Sequence, residues 1–255
     1  MAYKPFDLTG KVALVTGGNS GIGLGMAEAM AEAGADIAIW GTNAKKNEAA
    51  KSTIAKTGRK VLTLECDVGD EQAVEAAFAK TLDVLGRVDG CFANAGVGGR
   101  APSFLEMTSE EWHRVLRVNL DGVFYTFKAA ARHMVKRGDG GALVGTASLA
   151  AISGQARGQH YAATKGGVIS MIRAMAVEFA RYQIRANAIL PGWIETDMTA
   201  KTFANERFRE KVLPRVPMRR WGESTDFGGI AVYLMSEARR YHSGDTFLID
   251  GAYLI

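Results

Sequence analysis

Two side chains one helical turn apart carry the clearest chemistry in this sequence. Tyr161-Ala162-Ala163-Thr164-Lys165 sets a phenol and an ammonium at i and i+4, on one face of a helix. A free phenol titrates near about 10 and transfers protons poorly at neutral pH. A cation held close favours the phenolate, by about 1.4 kcal/mol for each pKa unit. A phenol tuned in this way can give a proton to a carbonyl or take one from an alcohol. Ser148 follows the apolar run Leu143-Val144-Gly145-Thr146-Ala147, and its hydroxyl can bond an oxygen on which charge develops. Asn119, within Arg117-Val118-Asn119-Leu120, can fix a water leading away from Lys165. His160 adjoins Tyr161 in sequence but points about 100° away around a helix, a structural or pocket-lining position.

A second cluster lies near the start of the chain. Leu14-Val15-Thr16-Gly17-Gly18-Asn19-Ser20-Gly21-Ile22-Gly23 follows an apolar strand and opens a helix, the setting of a phosphate-binding turn. Gly17 permits the chain reversal, Gly21 lets backbone approach a diphosphate, and Gly23 allows close helix–strand packing. The new helix offers free N–H groups and a partial positive charge to the anion. The spacing is GxxxGxG rather than GxGxxG, so the standard dinucleotide fingerprint is not strictly met.

The end of the second strand would read the adenosine ribose. An acid there would hold a free 2′-hydroxyl and repel a 2′-phosphate. Here the strand ends Ile39-Trp40-Gly41-Thr42-Asn43, with Lys45 and Lys46 soon after, and no carboxylate is in place. NADP(H) is favoured and NAD(H) stays open. Asp67, in Cys66-Asp67-Val68, can accept from an adenine amino group, and Asn94-Ala95-Gly96 closes a fourth strand.

These motifs need a frame that brings strand ends together, and the rest of the chain predicts one. Short apolar runs over 12–16, 37–40, 61–65, 88–93, 142–146, 184–190 and 246–249 alternate with helical stretches over 22–33, 44–57, 71–85, 109–137, 159–182 and 224–236. Continuous apolar strands separated by helices are strands buried on both faces, hence a parallel sheet. Right-handed crossovers place helices on each side. One doubly wound α/β domain of about seven strands spans residues 1–255, with 196–221 as a substrate lid. The stretches 119–134 and 159–182 are apolar beyond one stripe, so a homo-oligomer, dimer or tetramer, is expected through them.

Composition excludes several classes. Apolar residues at 47% and charged residues at 23% describe a folded chain, and 30 Gly against 5 Pro suits many tight turns. Cys66 and Cys91 form no CxxC, so neither a disulfide framework nor a zinc ribbon is available. His113, His133 and His242 have no ligand spacing, and no metal site is expected. Residues 201–221 hold seven basic side chains against two acidic ones, more than the whole-chain net charge of +4. The remainder is about neutral, which argues against nucleic acid. With no long apolar run and no signal-peptide core, no membrane partner and a cytoplasmic location are expected.

Taken together, the motifs resemble those of the short-chain dehydrogenase/reductase family. Thr16–Gly23 matches TGxxxGIG, Asn94-Ala95-Gly96 matches NAG, Ser148 precedes Tyr161 by 13 positions, Tyr161 and Lys165 match YxxxK, and Pro191-Gly192-Trp193-Ile194-Glu195-Thr196 matches the PG motif. The resemblance runs from about residue 8 to the C-terminus. Within the family, Pro191–Thr199 resembles 3-oxoacyl-[acyl-carrier-protein] reductases, and Trp40–Asn43 resembles gluconate- and sugar-type dehydrogenases as much.

The resemblance implies a Rossmann-type fold and hydride transfer between a nicotinamide and a ketone or secondary alcohol. It casts Tyr161 as general acid/base, Lys165 as the residue that lowers its pKa and holds the nicotinamide ribose, Ser148 as the stabiliser of the substrate oxygen, and Asn119 as the end of a water relay. Gly17, Gly18, Asn19, Ser20, Gly21, Ile22, Gly23, Thr42, Asn43, Asp67, Val68, Asn94, Ala95, Gly96, Pro191, Gly192, Ile194 and Thr196 would join Tyr161 and Lys165 around the cofactor. Arg100, Gln155, Arg157 and Trp193, with Ser148 and Tyr161, are the candidates for the substrate pocket. A catalytically silent dinucleotide-binding scaffold is the alternative, and erosion of the four catalytic positions would be its mark.

Overall fold

The computed structural model describes residues 3–99 and 101–255, so Arg100 lies outside the described residues. Seven parallel strands form one sheet: β1 (Val12–Thr16), β2 (Asp36–Gly41), β3 (Val61–Glu65), β4 (Gly90–Ala93), β5 (Gly141–Thr146), β6 (Ile184–Pro191) and β7 (Thr246–Ile249). Their order is β3-β2-β1-β4-β5-β6-β7. The helices are α1 (Gly21–Glu32), α2 (Ala44–Ile54), α3 (Glu71–Leu85), α4 (Ser109–Leu116), α5 (Gly122–Arg137), α6 (Gln159–Phe179), α7 (Ala200–Phe203), α8 (Glu206–Val212) and α9 (Gly228–Met235).

Strand periodicity explains why both faces are covered. Successive side chains of a strand point to opposite faces. In β2, Ala38 and Trp40 enter the core beneath α3, α5 and α6, while Ile37 and Ile39 enter the core beneath α1, α2 and α9. In β1, Leu14 joins the first core, and Ala13 and Val15 join the second. The central strands are therefore apolar over most of their length, although β6 carries Arg185 and the fully buried Asn187. Cys66 and Cys91 are unpaired and buried in the first core, which pushes both thiols up, Cys66 to about 11.

The strand order reverses between β1 and β4, and the crevice opens at the carboxyl ends of those two strands. Local capping directs the helices away from it. The Asp70 carboxylate accepts from the backbone N–H groups of Gln72 and Ala73 to start α3, which ends at Gly86 with φ of 78°.

The single helix expected over 109–137 is broken in two. Residues Arg117–Asp121 form a π-helical turn between α4 and α5, in which the Gly122 amide reaches back to the Arg117 carbonyl. Such a turn inserts one residue and rotates the helix beyond it. It buries Asn119 completely. Hydropathy periodicity carries no signal for a one-residue insertion, so the sequence predicts one helix where there are two.

Candidate active site

Thr16 and Asn94 join the two strands that flank the crevice. The Thr16 hydroxyl accepts from the backbone N–H groups of Asn94 and Ala95, each at 3.0 Å. The Asn94 amide donates to the Thr16 carbonyl at 3.1 Å, and its carbonyl oxygen accepts from the Thr146 hydroxyl at 3.1 Å. One side chain thus fixes the ends of β1, β4 and β5 against each other. Asn94 borders the cleft as expected, and its side-chain polar atoms are engaged in this junction.

The cleft above the junction has a volume of about 470 Å³. Gly17, Asn19, Ser20, Gly21, Ile22, Thr42, Asn43, Asp67, Val68, Asn94, Ala95, Gly96, Ser148, Tyr161, Lys165, Pro191, Gly192, Ile194 and Thr196 line it, as the motifs require. Gly18 and Gly23 do not. They face inward, where a Cβ on Gly23 would land against the Gly17 carbonyl oxygen.

The phosphate turn is open to an anion. The Ser20 hydroxyl makes no capping bond to α1, in contrast to Asn43, Asp70 and Thr108 on α2, α3 and α4, although α5, α6, α7 and α9 also begin without a side-chain cap. The first N–H groups of α1 are left for a ligand, as a diphosphate site needs. Gly21 has φ of 53°. Its missing Cβ would sit 3.0 Å from the Thr196 methyl carbon. These features fit a dinucleotide diphosphate.

Two predicted cofactor contacts are engaged within the protein. The Asn19 amide donates to the Asn47 side chain at 2.7 Å, and Asn47 donates onward to the Gly41 and Leu64 carbonyls. This braces the phosphate turn against β2 and β3. Asn47 reads as an ordinary helix residue in sequence, because only folding brings it to Asn19. The Asp67 carboxylate accepts from Arg117 at 2.9 Å and from the Gly69 backbone N–H. Its expected role toward an adenine is therefore shared with an ion pair.

At the other end of the cleft, the Lys165 ammonium is buried and donates to the Thr146 carbonyl at 2.7 Å. It lies 5.6 Å from the centre of the Tyr161 ring. Burial raises the Tyr161 phenol above its ordinary value, and the Ser148 hydroxyl draws it back down. Desolvation disfavours the phenolate more than its neighbours stabilise it.

The same burial brings Lys165 from an ordinary 10.5 down to about 8. With the folded value below the unfolded one, the unfolded chain binds more protons between about 8 and 10.5, so stability rises with pH across that window. Below it the penalty is fully present. We expect Lys165→Met to stabilise the fold at pH 7 by about 1–2 kcal/mol, after allowance for the lost bond to Thr146. Denaturant melts of both proteins should show this difference falling as pH rises from about 8 and changing sign by about pH 10.5, where only the lost bond to Thr146 remains. A difference independent of pH would mean that folding leaves the lysine's pKa at its ordinary value.

Asn119 does not border the cleft. Its side-chain oxygen accepts from the Val97 N–H at 2.8 Å and its amide donates to the Val97 carbonyl at 2.9 Å. Both ends of the side chain hold the loop after β4, so a relay water would have to meet this residue elsewhere. His160 is fully buried and pairs with Glu111 at 3.2 Å, tying α6 to α4 beside Tyr161.

The expected substrate residues Gln155 and Trp193 do not line this cleft. Gln155 is exposed. Trp193 belongs to an aromatic cluster with Phe203, Phe208 and Tyr253, and Phe203 stacks on Trp221 at 4.3 Å. Ring packing claims the indole because α7 and α8 fold back over it. A parallel bridge between Ile194 and Gly222 closes the base of the 195–221 segment. Arg157 is exposed, and its carbonyl accepts from the Ala101 amide. Sequence reasoning passed over Arg117, Val118, Thr146, Asp197 and Met198, which line the cleft through tertiary approach alone.

A dinucleotide turn at one end of the crevice and a serine, tyrosine and lysine at the other define an oxidoreductase of the doubly wound class. Residues 17–253 match the family model described as Enoyl-(Acyl carrier protein) reductase. The chain is 35% identical over 254 residues to the 2-dehydro-3-deoxy-D-gluconate 5-dehydrogenase of Escherichia coli strain K12, covering 100% of this chain and 99% of that protein. It is 34% identical to the 3-oxoacyl-[acyl-carrier-protein] reductase of Chlamydia pneumoniae, over 96% of this chain and 97% of that one. A solved gluconate 5-dehydrogenase from Burkholderia cenocepacia J2315, in complex with NADP and tartrate, superposes with a TM-score of 0.92 at 35% identity, over 98% of this chain and 97% of that one. The chain belongs to the short-chain dehydrogenase/reductase family. It is an oxidoreductase acting on CH–OH and C=O groups. Among the described residues, no helix is long and apolar enough to cross a membrane.

Proposed function

We propose that this enzyme interconverts a ketone and a secondary alcohol on a small sugar-acid-type substrate, with NADP(H) as cofactor and Tyr161 as general acid/base. The observation that carries the reading is the placement of Ser148, Tyr161 and the buried Lys165 in the same cleft as an uncapped, glycine-lined helix N-terminus. When bound, the nicotinamide supplies or takes up the hydride.

The chain's own residues manage the proton and the geometry. Tyr161 is a neutral phenol at neutral pH, and burial raises its pKa further, so it holds the proton that a reduced carbonyl oxygen needs. The Ser148 hydroxyl donates to the same oxygen as negative charge builds. In the oxidative direction, the Lys165 charge 5.6 Å from the ring offsets the phenolate that forms. Gly17, Ser20, Gly21 and Ile22 would hold the diphosphate, and Pro191, Gly192, Ile194 and Thr196 would flank the nicotinamide. The 196–221 segment is proposed as the substrate lid.

NADP(H) is supported by the absence of a carboxylate at the end of β2 and by the NADP in the gluconate dehydrogenase structure. The sugar-acid class is supported by that relative and by the Escherichia coli one, and 3-oxoacyl thioesters are the second class, from the Chlamydia relative. A homo-oligomer through α5 and α6 is part of the proposal. Phe124 is 47% and Val177 81% exposed on those helices, apolar surface that a second copy would cover. A cytoplasmic location completes it.

The test is a panel of keto-acid sugars and 3-oxoacyl thioesters, each with NADPH and with NADH. We expect kcat/KM at least about tenfold higher for sugar-acid ketones and for NADPH. Thioesters turned over faster would overturn the substrate class, and binding without turnover of any ketone would overturn the catalytic roles.

A further inference from the structure

We infer that the ion pair between Lys46 and Asp197 is a clasp across the mouth of the cleft, opened when the 2′-phosphate of the dinucleotide draws Lys46 away from the carboxylate. The inference rests on the NADP(H) reading above and adds to it a carboxylate, Asp197, that competes with the 2′-phosphate for Lys46.

The two residues lie 151 positions apart, and their charged atoms meet at 2.6 Å. Both line the cleft. Lys46 stands in the first turn of α2, directly after β2, and its backbone N–H is held by the Asn43 cap. Asp197 sits in a braced turn. The Thr199 hydroxyl donates to the Ile194 carbonyl at 2.6 Å and accepts from the Thr196 N–H at 3.0 Å. The adjacent Thr196 methyl abuts Gly21 of the phosphate turn. The pair therefore joins the adenosine side of the cleft to the segment that leads into α7.

Among the described residues, Lys46, Arg117 and Lys165 are the cleft-lining cations. Arg117 is held by Asp67, and Lys165 is buried against the Thr146 carbonyl. Lys46 alone combines a place beside the end of β2 with an exchangeable partner. Its contact with Asp197 is through one carboxylate oxygen, with side chains 45% and 72% exposed. A pair so exposed is worth about 0–1 kcal/mol. A phosphate bearing nearly two charges is a stronger acceptor, so exchange favours the ligand. Once Lys46 has moved, Asp197 is left as an unpaired anion near a phosphate, and repulsion pushes its turn outward.

Equilibrium titration of the full chain with NADPH and with NADH, followed by nucleotide fluorescence, tests the clasp. Lys46→Met should weaken NADPH by about tenfold or more and NADH by no more than about twofold. Asp197→Asn should tighten NADPH by about twofold to fivefold, again with little change for NADH. The double variant should lose that gain. Lys46→Arg should bind NADPH nearly as the wild type does. An Asp197→Asn protein with unchanged NADPH affinity, or variants that shift both nucleotides equally, would overturn the exchange. A wild-type chain that bound neither nucleotide would bring down the cofactor reading itself, and the clasp with it.

Discussion

Tyr161→Phe is expected to lower turnover by about 10²–10⁴-fold while cofactor affinity stays within about threefold. The substitution removes one oxygen and leaves the ring, its packing and its distance to Lys165 in place. The lost atom is the only one on this side chain that can carry a proton to substrate. Ser148 can still polarise the carbonyl, so residual activity should remain above background. Stopped-flow hydride transfer and NADPH titration on the same preparation separate the two quantities. Turnover within tenfold of wild type would remove Tyr161 from the acid/base role. A parallel loss of NADPH affinity would instead assign it to binding.

Gly21→Val should abolish measurable cofactor binding, with an affinity loss of about 100-fold or more. Two costs combine at this position. The backbone φ is 53°, a left-handed conformation that a β-branched residue adopts only under strain. The new Cβ would also stand 3.0 Å from the Thr196 methyl carbon, in the space where backbone must approach a diphosphate. The strained turn rearranges, and the first N–H groups of α1 no longer converge on one point. Circular dichroism should show an intact fold, because Gly21 lies at the rim of the sheet rather than in either core. A Gly21→Val protein that enhanced NADPH fluorescence as the wild type does would relocate the phosphate site.

Much of the site was legible because its residues are local in sequence. A turn between a strand and a helix is built from contiguous positions, so Gly17 to Gly23 announce it by type and spacing. Tyr161 and Lys165 share a helix face by the same local geometry. Residues that depend on approach from elsewhere were illegible. Asn47 reaches Asn19 across 28 positions, and Lys46 reaches Asp197 across 151. Trp193 shows the opposite error: its place in the PG motif suggested the pocket, and the rings of Phe203, Phe208 and Tyr253 took it into an aromatic cluster instead.

The amino-acid sequence alone determined the parallel sheet, because strands buried on both faces read as runs of mostly apolar residues, and it determined the turn and helix that present the reactive groups. Tertiary structure decided how those groups behave. The pKa values of Tyr161 and Lys165 depend on how much water the surrounding elements exclude, and Asn119 is turned inward by one inserted residue in a helix. Neither quantity is a property of spacing along the chain; both arise when separate segments compete for the same small volume at the carboxyl edge of the sheet.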